Sequence, residues 1–192
     1  MSHTEALKGY AMQIGESFIG TGAAAAHVNT VLGARSGPAG VAWATALATP
    51  SQGHTPFVAV LQPGVPARPL TLFVNKAAVS GDAHATLTWG PAQAGVAAGV
   101  MDAVAAGQIP AETVDEVVIV AAVWVDPAAG SDDANEVYRN NRLATARALA
   151  AGAQGTPALE VALAARDRPA NPFYPVAAAW NGAAAQAGAG AE

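Results

Sequence analysis

The chain has 192 residues, a length that suits one domain, and only 12% of them are charged. Its formal net charge of −5 argues against nucleic acid as the main partner, because phosphate binding requires a basic surface. Cysteine is absent, which excludes disulfides and thiolate metal sites. The sparse charge also favours a surface that copies of the same chain partly cover, so we expect a homo-oligomer.

The first predicted elements are two strands near the N-terminus. Residues 17–20 form a short strand that a Gly-rich turn ends, and residues 24–32 form a second strand. Side chains alternate between the two faces of a strand, so His27 and Asn29 are expected to point the same way. The second strand therefore presents a titratable side chain next to an amide.

The remaining elements are predicted from apolar spacing and from the positions of Gly and Pro. In chain order they are a helix over 38–49, a strand over 57–61, a turn over 63–66, a strand over 71–79, a helix over 90–106, a strand over 117–125 and a helix from 131 to about 152. The strand 117–125 is apolar enough to be buried on both faces but too short to span a membrane. The N-terminus lacks the pattern of a signal peptide. We expect a cytoplasmic α/β protein without a membrane segment, a two-layer sandwich with at least three helices on one sheet.

The composition changes after the last predicted helix. Residues 1–152 carry every predicted element, whereas residues 153–192 are rich in Ala, Pro and Gly and hold few large side chains. Such a segment has little apolar surface to bury. The sequence thus predicts a domain over 1–152 and a C-terminal tail over 153–192.

Few side chains can exchange protons near neutral pH. His3 lies near the terminus, and His54 and His84 adjoin glycines in contexts typical of loops. His27 alone lies in a predicted strand, with Asn29 beside it on the same face. Imidazole titrates nearest to neutral pH, so His27 is the predicted general acid. The alternative is a histidine that only makes a structural hydrogen bond.

Two further polar side chains could bind a ligand. Lys76 lies in the predicted strand 71–79, where its stem can follow apolar surface while the ammonium group reaches a ligand. The alternative is a lysine that protects an exposed edge strand. Gln93 lies in the first turn of the helix predicted from Gly90, where its amide joins unpaired backbone N–H groups and suits a polar heterocycle. The alternative is a solvent-facing glutamine. The histidines lack metal-ligand spacing, so no metal is expected.

Seven stretches keep their order and nearly constant spacing between about Ile14 and Gly152. They are Gly15–Gly22, Ala26–Asn29, Leu32–Arg35, Asn75-Lys76, Trp89–Ala97, Asp102–Pro110 and Asp132–Ala134. Together they resemble the formaldehyde-activating enzyme family, most specifically in the Gly-Pro-Ala-Gln and Ile-Pro segments. The tail resembles the family only around Asn171-Pro172-Phe173.

The resemblance implies an activity, a fold and an assembly. The activity is condensation of formaldehyde with tetrahydromethanopterin to methylene-tetrahydromethanopterin and water, in one-carbon metabolism, methylotrophy and formaldehyde detoxification. The reduced pterin is a co-substrate, and no metal is required. The implied fold is like the second domain of ribosomal protein S5, assembled as a homopentamer with pterin sites between subunits.

The resemblance also assigns residues. It makes His27 the proton donor, and it makes Lys76 and Gln93 contacts to the pterin. At three more pterin-binding positions the family has an aspartate, a leucine and a threonine, where this chain has Asn29, Val58 and Ala78. An amide at position 29 can hydrogen-bond but carries no charge. The changes at Asn29 and Ala78 favour an alternative to an enzyme, a paralogue that binds or senses formaldehyde or a reduced pterin. A purely structural oligomer is a third possibility.

Overall fold

A computed structural model of the chain describes residues 12–174 as a mixed α/β protein. Its elements are β1 Gln13–Ile19, β2 Ala26–Ala34, α1 Pro38–Ala48, β3 Phe57–Val58, β4 Val60–Gln62, β5 Val65–Pro66, β6 Leu70–Asn75, α2 Gly81–Leu87, α3 Gln93–Ala105, β7 Val117–Trp124, α4 Ala134–Gln154 and α5 Leu159–Ala165. The α/β class predicted from the sequence is therefore confirmed. Within residues 12–174, none of the helices combines the length and the apolar character that a membrane span requires.

The main sheet has five strands in the order β1-β2-β7-β6-β3. The β6–β7 pair is parallel, and the other neighbouring pairs are antiparallel. Strands β4 and β5 form a separate two-stranded sheet. Strand β7 lies at the centre of the sheet, between β2 and β6.

Two glycines identify the helices on each face of the main sheet. A Cβ atom on Gly15 would lie 1.7 Å from the carbonyl oxygen of Ala148, so α4 packs directly on the first face. A Cβ atom on Gly33 would lie 2.9 Å from the Cβ of Ala39, so α1 packs on the second face. The sequence pattern did not predict a helix on this second face.

The hydrophobic core lies between the first face and the helices α3 and α4. Val28, Phe73 and Ile119 of the sheet are fully buried there with Val96 and Val100 of α3. The two helices approach each other closely, as the small side chains predict. A Cβ atom on either glycine that faces α4, at position 95 or 99, would come within 2.6 Å of its backbone. This packing covers the first face, so the side chains of the sheet that stay accessible lie on the opposite face.

Several strand predictions need correction. The strand predicted over 17–20 begins earlier, at Gln13. The strand predicted over 71–79 ends at Asn75, whose side-chain amide donates to the carbonyls of Gly53 and Ala77 and so favours a turn. The strand predicted over 57–61 is split at Ala59, because the chain bonds to β6 up to that residue and pairs with β5 from Val60 onward. The strand β7 is not buried on both faces: its burial alternates after residue 119, since α1 covers only part of the second face.

The helix predicted to begin at Gly90-Pro91 begins earlier. Helix α2 starts at Gly81, and a π-helical turn over Thr88–Ala92 connects it to α3. Pro91 has no N–H to donate, and the wider π turn allows helical backbone to continue past it. Gln93 therefore does not lie at a free helix N-terminus, and the predicted reason for its ligand binding was wrong.

Backbone contacts divide the described chain after Thr156, and the segment beyond is described by itself. It contains α5, whose residues are all exposed, and an isolated bridge between Asn171 and Tyr174. The predicted tail thus includes a short helix, while its residues 175–192 lie outside the described part. The domain boundary at residue 152 stays a prediction, and α4 continues to Gln154.

Candidate functional site

Four strands contribute side chains, most of them polar or aromatic, to the part of the second face that α1 leaves open. The registers place His27 opposite Phe18 of β1 and Trp124 of β7, and they place Asn29 opposite Glu16 and Ala122. We call the following set the open face: Glu16, Phe18, His27, Asn29, Val74, Lys76, Ala122 and Trp124. Each of these side chains is half-buried or exposed, so the set is accessible to a ligand or a partner.

His27 is held by two side chains of β1. Its Nε2 atom lies 3.0 Å from Oε1 of Glu16, and its ring centroid lies 5.9 Å from that of Phe18. The imidazole is 36% exposed, which leaves room for a substrate beside it. Burial lowers the pKa of His27 below 6.5 and the positive charge of Lys76 lowers it further, whereas the charge and hydrogen bond of Glu16 act in the opposite direction.

Lys76 reaches the same place from the end of β6. Its ammonium group donates a hydrogen bond to Oδ1 of Asn29, and its backbone N–H donates to the carbonyl of Val123. Burial lowers the pKa of Lys76, and the charge of Glu16 opposes that shift. The structure thus brings together His27, Asn29 and Lys76, three of the residues that the sequence indicated.

Glu16 is the residue that the sequence pattern did not indicate. The strand predicted over 17–20 left Glu16 out, whereas β1 begins at Gln13, and alternation along β1 places Glu16 and Phe18 on one face. Alternation alone does not reveal which residues of β2 they meet, because that depends on the register between the strands. The observed pairing of Glu16 with Asn29 brings its carboxylate to His27.

Gln93 and Val58 form a second group at the far edge of the sheet. The Gln93 amide holds both backbone groups of Val60: its Oε1 accepts from the Val60 N–H at 2.9 Å, and its Nε2 donates to the Val60 carbonyl at 3.1 Å. Gln93 and Val58 line a cavity of about 400 Å³, whose other walls are Thr55, Phe57, Val60 and Trp89. Within one chain, β7 and β6 lie between the strand that carries His27 and the strand that carries Val58, and those two strands are about 14 Å apart at three strand spacings.

Ala78 and the other histidines are placed elsewhere. Ala78 is exposed in the segment after β6, close to Gly53. His54 bonds through Nδ1 to the carbonyl of Asn75 at 2.9 Å. His84 was expected in a loop but is buried in α2, where Nδ1 accepts from the Ser80 N–H and Nε2 therefore donates to the Val125 carbonyl.

The buried position of His84 is explained by its two backbone partners, so it acts as a structural residue. His3 lies outside the described residues. In residues 12–174, no three His, Asp or Glu side chains are grouped closely enough to hold a metal ion.

The sequence is similar to proteins of known activity. Residues 14–174 match the family described as formaldehyde-activating enzyme (Fae). The chain is 42% identical to the 5,6,7,8-tetrahydromethanopterin hydro-lyase of Methanosarcina barkeri over 160 residues, which cover 83% of this chain and 89% of the relative.

Longer relatives also match. The bifunctional enzyme Fae/Hps of Methanococcoides burtonii is 42% identical over 160 residues, or 83% of this chain. The bifunctional enzyme Fae/Hps of Archaeoglobus fulgidus is 42% identical over 161 residues, or 84% of this chain. The match spans 40% of the length of each of these two bifunctional proteins.

Proposed function

The chain belongs to the formaldehyde-activating enzyme family, and from that premise we propose that it condenses formaldehyde with tetrahydromethanopterin to methylene-tetrahydromethanopterin and water. The observation that carries the proposal is the half-buried His27 on an accessible face, within reach of Lys76 and Asn29. A general acid must be able both to hold a proton and to contact the substrate. The binding-only and structural alternatives have no support among the relatives, which are enzymes by name.

The reaction requires one proton at one oxygen. A pterin nitrogen adds to formaldehyde, and its proton moves to the former carbonyl oxygen, which gives a hydroxymethyl adduct. The C–O bond then breaks, and His27 protonates the departing oxygen so that it leaves as water. The second pterin nitrogen attacks the resulting iminium carbon, and its proton returns to His27. The imidazole ends the cycle in the state in which it began.

The lowered pKa of His27 has two opposing consequences for this step. It makes the imidazolium a stronger acid, which favours proton transfer to the leaving oxygen. It also reduces the fraction of protein that carries the proton at neutral pH. We therefore expect the catalysed rate to decrease as the pH rises through a midpoint below 6.5.

The other assigned residues would hold the pterin. Lys76 and Asn29 offer an ammonium group and an amide next to His27. Gln93 uses one N–H and one lone pair on Val60, so its amide keeps a second donor and a second acceptor for a polar heterocycle. Val58 and Ala78 would contribute apolar contacts. Fixing the two pterin nitrogens beside the carbon would supply the entropic part of the rate enhancement.

We further propose that complete sites form between subunits, as the resemblance implies for a homopentamer with an S5-like fold in the cytoplasm. Two observations support an assembly. Within one chain, β2 with His27 and β3 with Val58 are separated by three strand spacings, about 14 Å. The open face also leaves Phe18 and Trp124 only half-buried, although the chain carries few charges to solvate its surface.

The function is tested by mixing the purified protein with formaldehyde and tetrahydromethanopterin and following methylene-pterin absorbance. The wild type should exceed the spontaneous rate, and His27→Ala should lower the catalysed rate by roughly a hundredfold or more. His27→Gln keeps a hydrogen-bonding group next to Glu16 but cannot donate a proton at neutral pH, so it should be equally slow. A His27→Gln protein as fast as the wild type would remove His27 from the mechanism.

A further inference from the structure

We infer that Glu16 is a positioning residue for the proposed reaction: its carboxylate holds Nε2 of His27, so that Nδ1 is the atom that exchanges the proton with the substrate. The inference rests on the proposed function and adds a residue and an atom to it. The Nδ1 proton passes to the oxygen of the hydroxymethyl adduct as the C–O bond breaks. Ring closure then releases the N–H proton of the second pterin nitrogen back to Nδ1.

The geometry that supports this role comes from β1. Glu16 is the diagonal cross-strand neighbour of His27, and Phe18 is its direct partner, so two adjacent outward side chains of one strand contact the ring. A ring held at Nε2 and flanked by an aromatic side chain has little rotational freedom. Because Glu16 occupies Nε2, Nδ1 is the ring nitrogen left for a ligand.

The register of β1 is itself locked. β1 pairs with β2 over seven positions, from Gln13 to Ile19. On the opposite face, Gly15 lies against the backbone of Ala148, where no side chain fits. A slip of the register by one residue would point the Glu16 side chain into the core and place a residue larger than glycine against α4. The position of the carboxylate next to His27 is therefore a property of the packed sheet.

The Glu16 carboxylate opposes the effect of the Lys76 charge on the pKa of His27. Lys76 is the cation that faces it, from the end of β6, and Glu16 is the anion, from β1. Asn29 of β2 is neutral, and β7 contributes Trp124, which does not titrate. Without Glu16, the imidazolium would face the ammonium group of Lys76 alone. The protonated form that the reaction uses would then be less populated.

The test compares Glu16→Gln with the control Glu112→Gln, which removes the same charge from the exposed turn before β7, at the strand end remote from Trp124. Glu16→Gln should lower kcat by roughly tenfold and leave KM for the pterin within about twofold. It should also move the midpoint of the kcat–pH profile to lower pH. Glu112→Gln should match the wild type. Glu16→Asp should keep the wild-type midpoint, because it retains the charge, but lose rate.

Titration of the His27 ring nitrogens by NMR gives a second readout that does not depend on turnover. In Glu16→Gln the His27 pKa should decrease relative to the wild type, and in Glu112→Gln it should not. If the wild type accelerates the condensation but Glu16→Gln matches it in kcat and pH midpoint, the inference about Glu16 is wrong and the proposed function stands. If the wild type is no faster than the spontaneous reaction, the proposed function fails. If the His27 titration is also unchanged in Glu16→Gln, the pairing of Glu16 with His27 is overturned as well.

Discussion

The contact between β1 and α4 connects the stability of the fold to the geometry of His27, and Gly15→Ala tests that connection. The new Cβ atom would lie 1.7 Å from the Ala148 carbonyl oxygen and 3.1 Å from the Gly152 nitrogen, whereas ordinary contact begins at 3.4 Å. The strand and the helix would have to separate by about 1.7 Å, the difference between 3.4 and 1.7. Overpacking of this kind costs about 3 kcal/mol of unfolding free energy, or roughly 6–12 °C in Tm for a chain of this size.

The same displacement moves Glu16, the next residue along β1, relative to His27. We therefore expect Gly15→Ala to lose kcat as well as stability, even at temperatures at which it remains folded. Thermal unfolding followed by circular dichroism measures the first effect, and the absorbance assay measures the second. Gly130→Ala is the control, because its backbone is extended and its Cβ atom would meet only Oδ2 of Asp133 at 3.9 Å, so its Tm should change by no more than about 4 °C. A Gly15→Ala protein that melts with this control would show that β1 and α4 are not in tight contact.

Two further predictions concern His27 and Gln93. The pKa of His27 in the folded state is below its unfolded value of 6.5. Between those two pKa values the unfolded chain binds more protons than the folded chain. The free energy of unfolding should therefore rise with pH up to about 6.5. Urea midpoints measured across this range should show that slope in the wild type and lose part of it in His27→Gln; equal slopes would contradict the assignment. Gln93→Leu removes both hydrogen bonds to Val60 and should cost about 1–3 kcal/mol while raising KM for the pterin. Urea unfolding and the absorbance assay measure the two effects, and a Gln93→Leu protein with wild-type stability would show that the amide does not hold Val60.

Local patterns predicted some parts of the site and missed others. Alternation along β2 correctly placed His27 and Asn29 on one face, because period two is a property of the strand itself. The same reasoning extended β6 too far, because the Asn75 side chain makes a turn there with partners as distant as Gly53. The helix start assigned to Gly90-Pro91 was wrong because proline favours a first turn locally, while here it lies in a π turn between two helices.

The amino-acid sequence alone determined the α/β class, the family and the presentation of His27 and Asn29 on a common face. These three properties depend on residue order or on the period of a single element. Residue order and period are visible in the sequence without knowledge of a partner strand. Tertiary structure alone decided that Glu16 reaches His27, that Lys76 reaches Asn29 and that Gln93 holds Val60 at the other edge of the sheet. Those contacts join residues that lie 11 to 47 positions apart, and they follow from strand register and from the packing of α4 on β1, which no local pattern specifies.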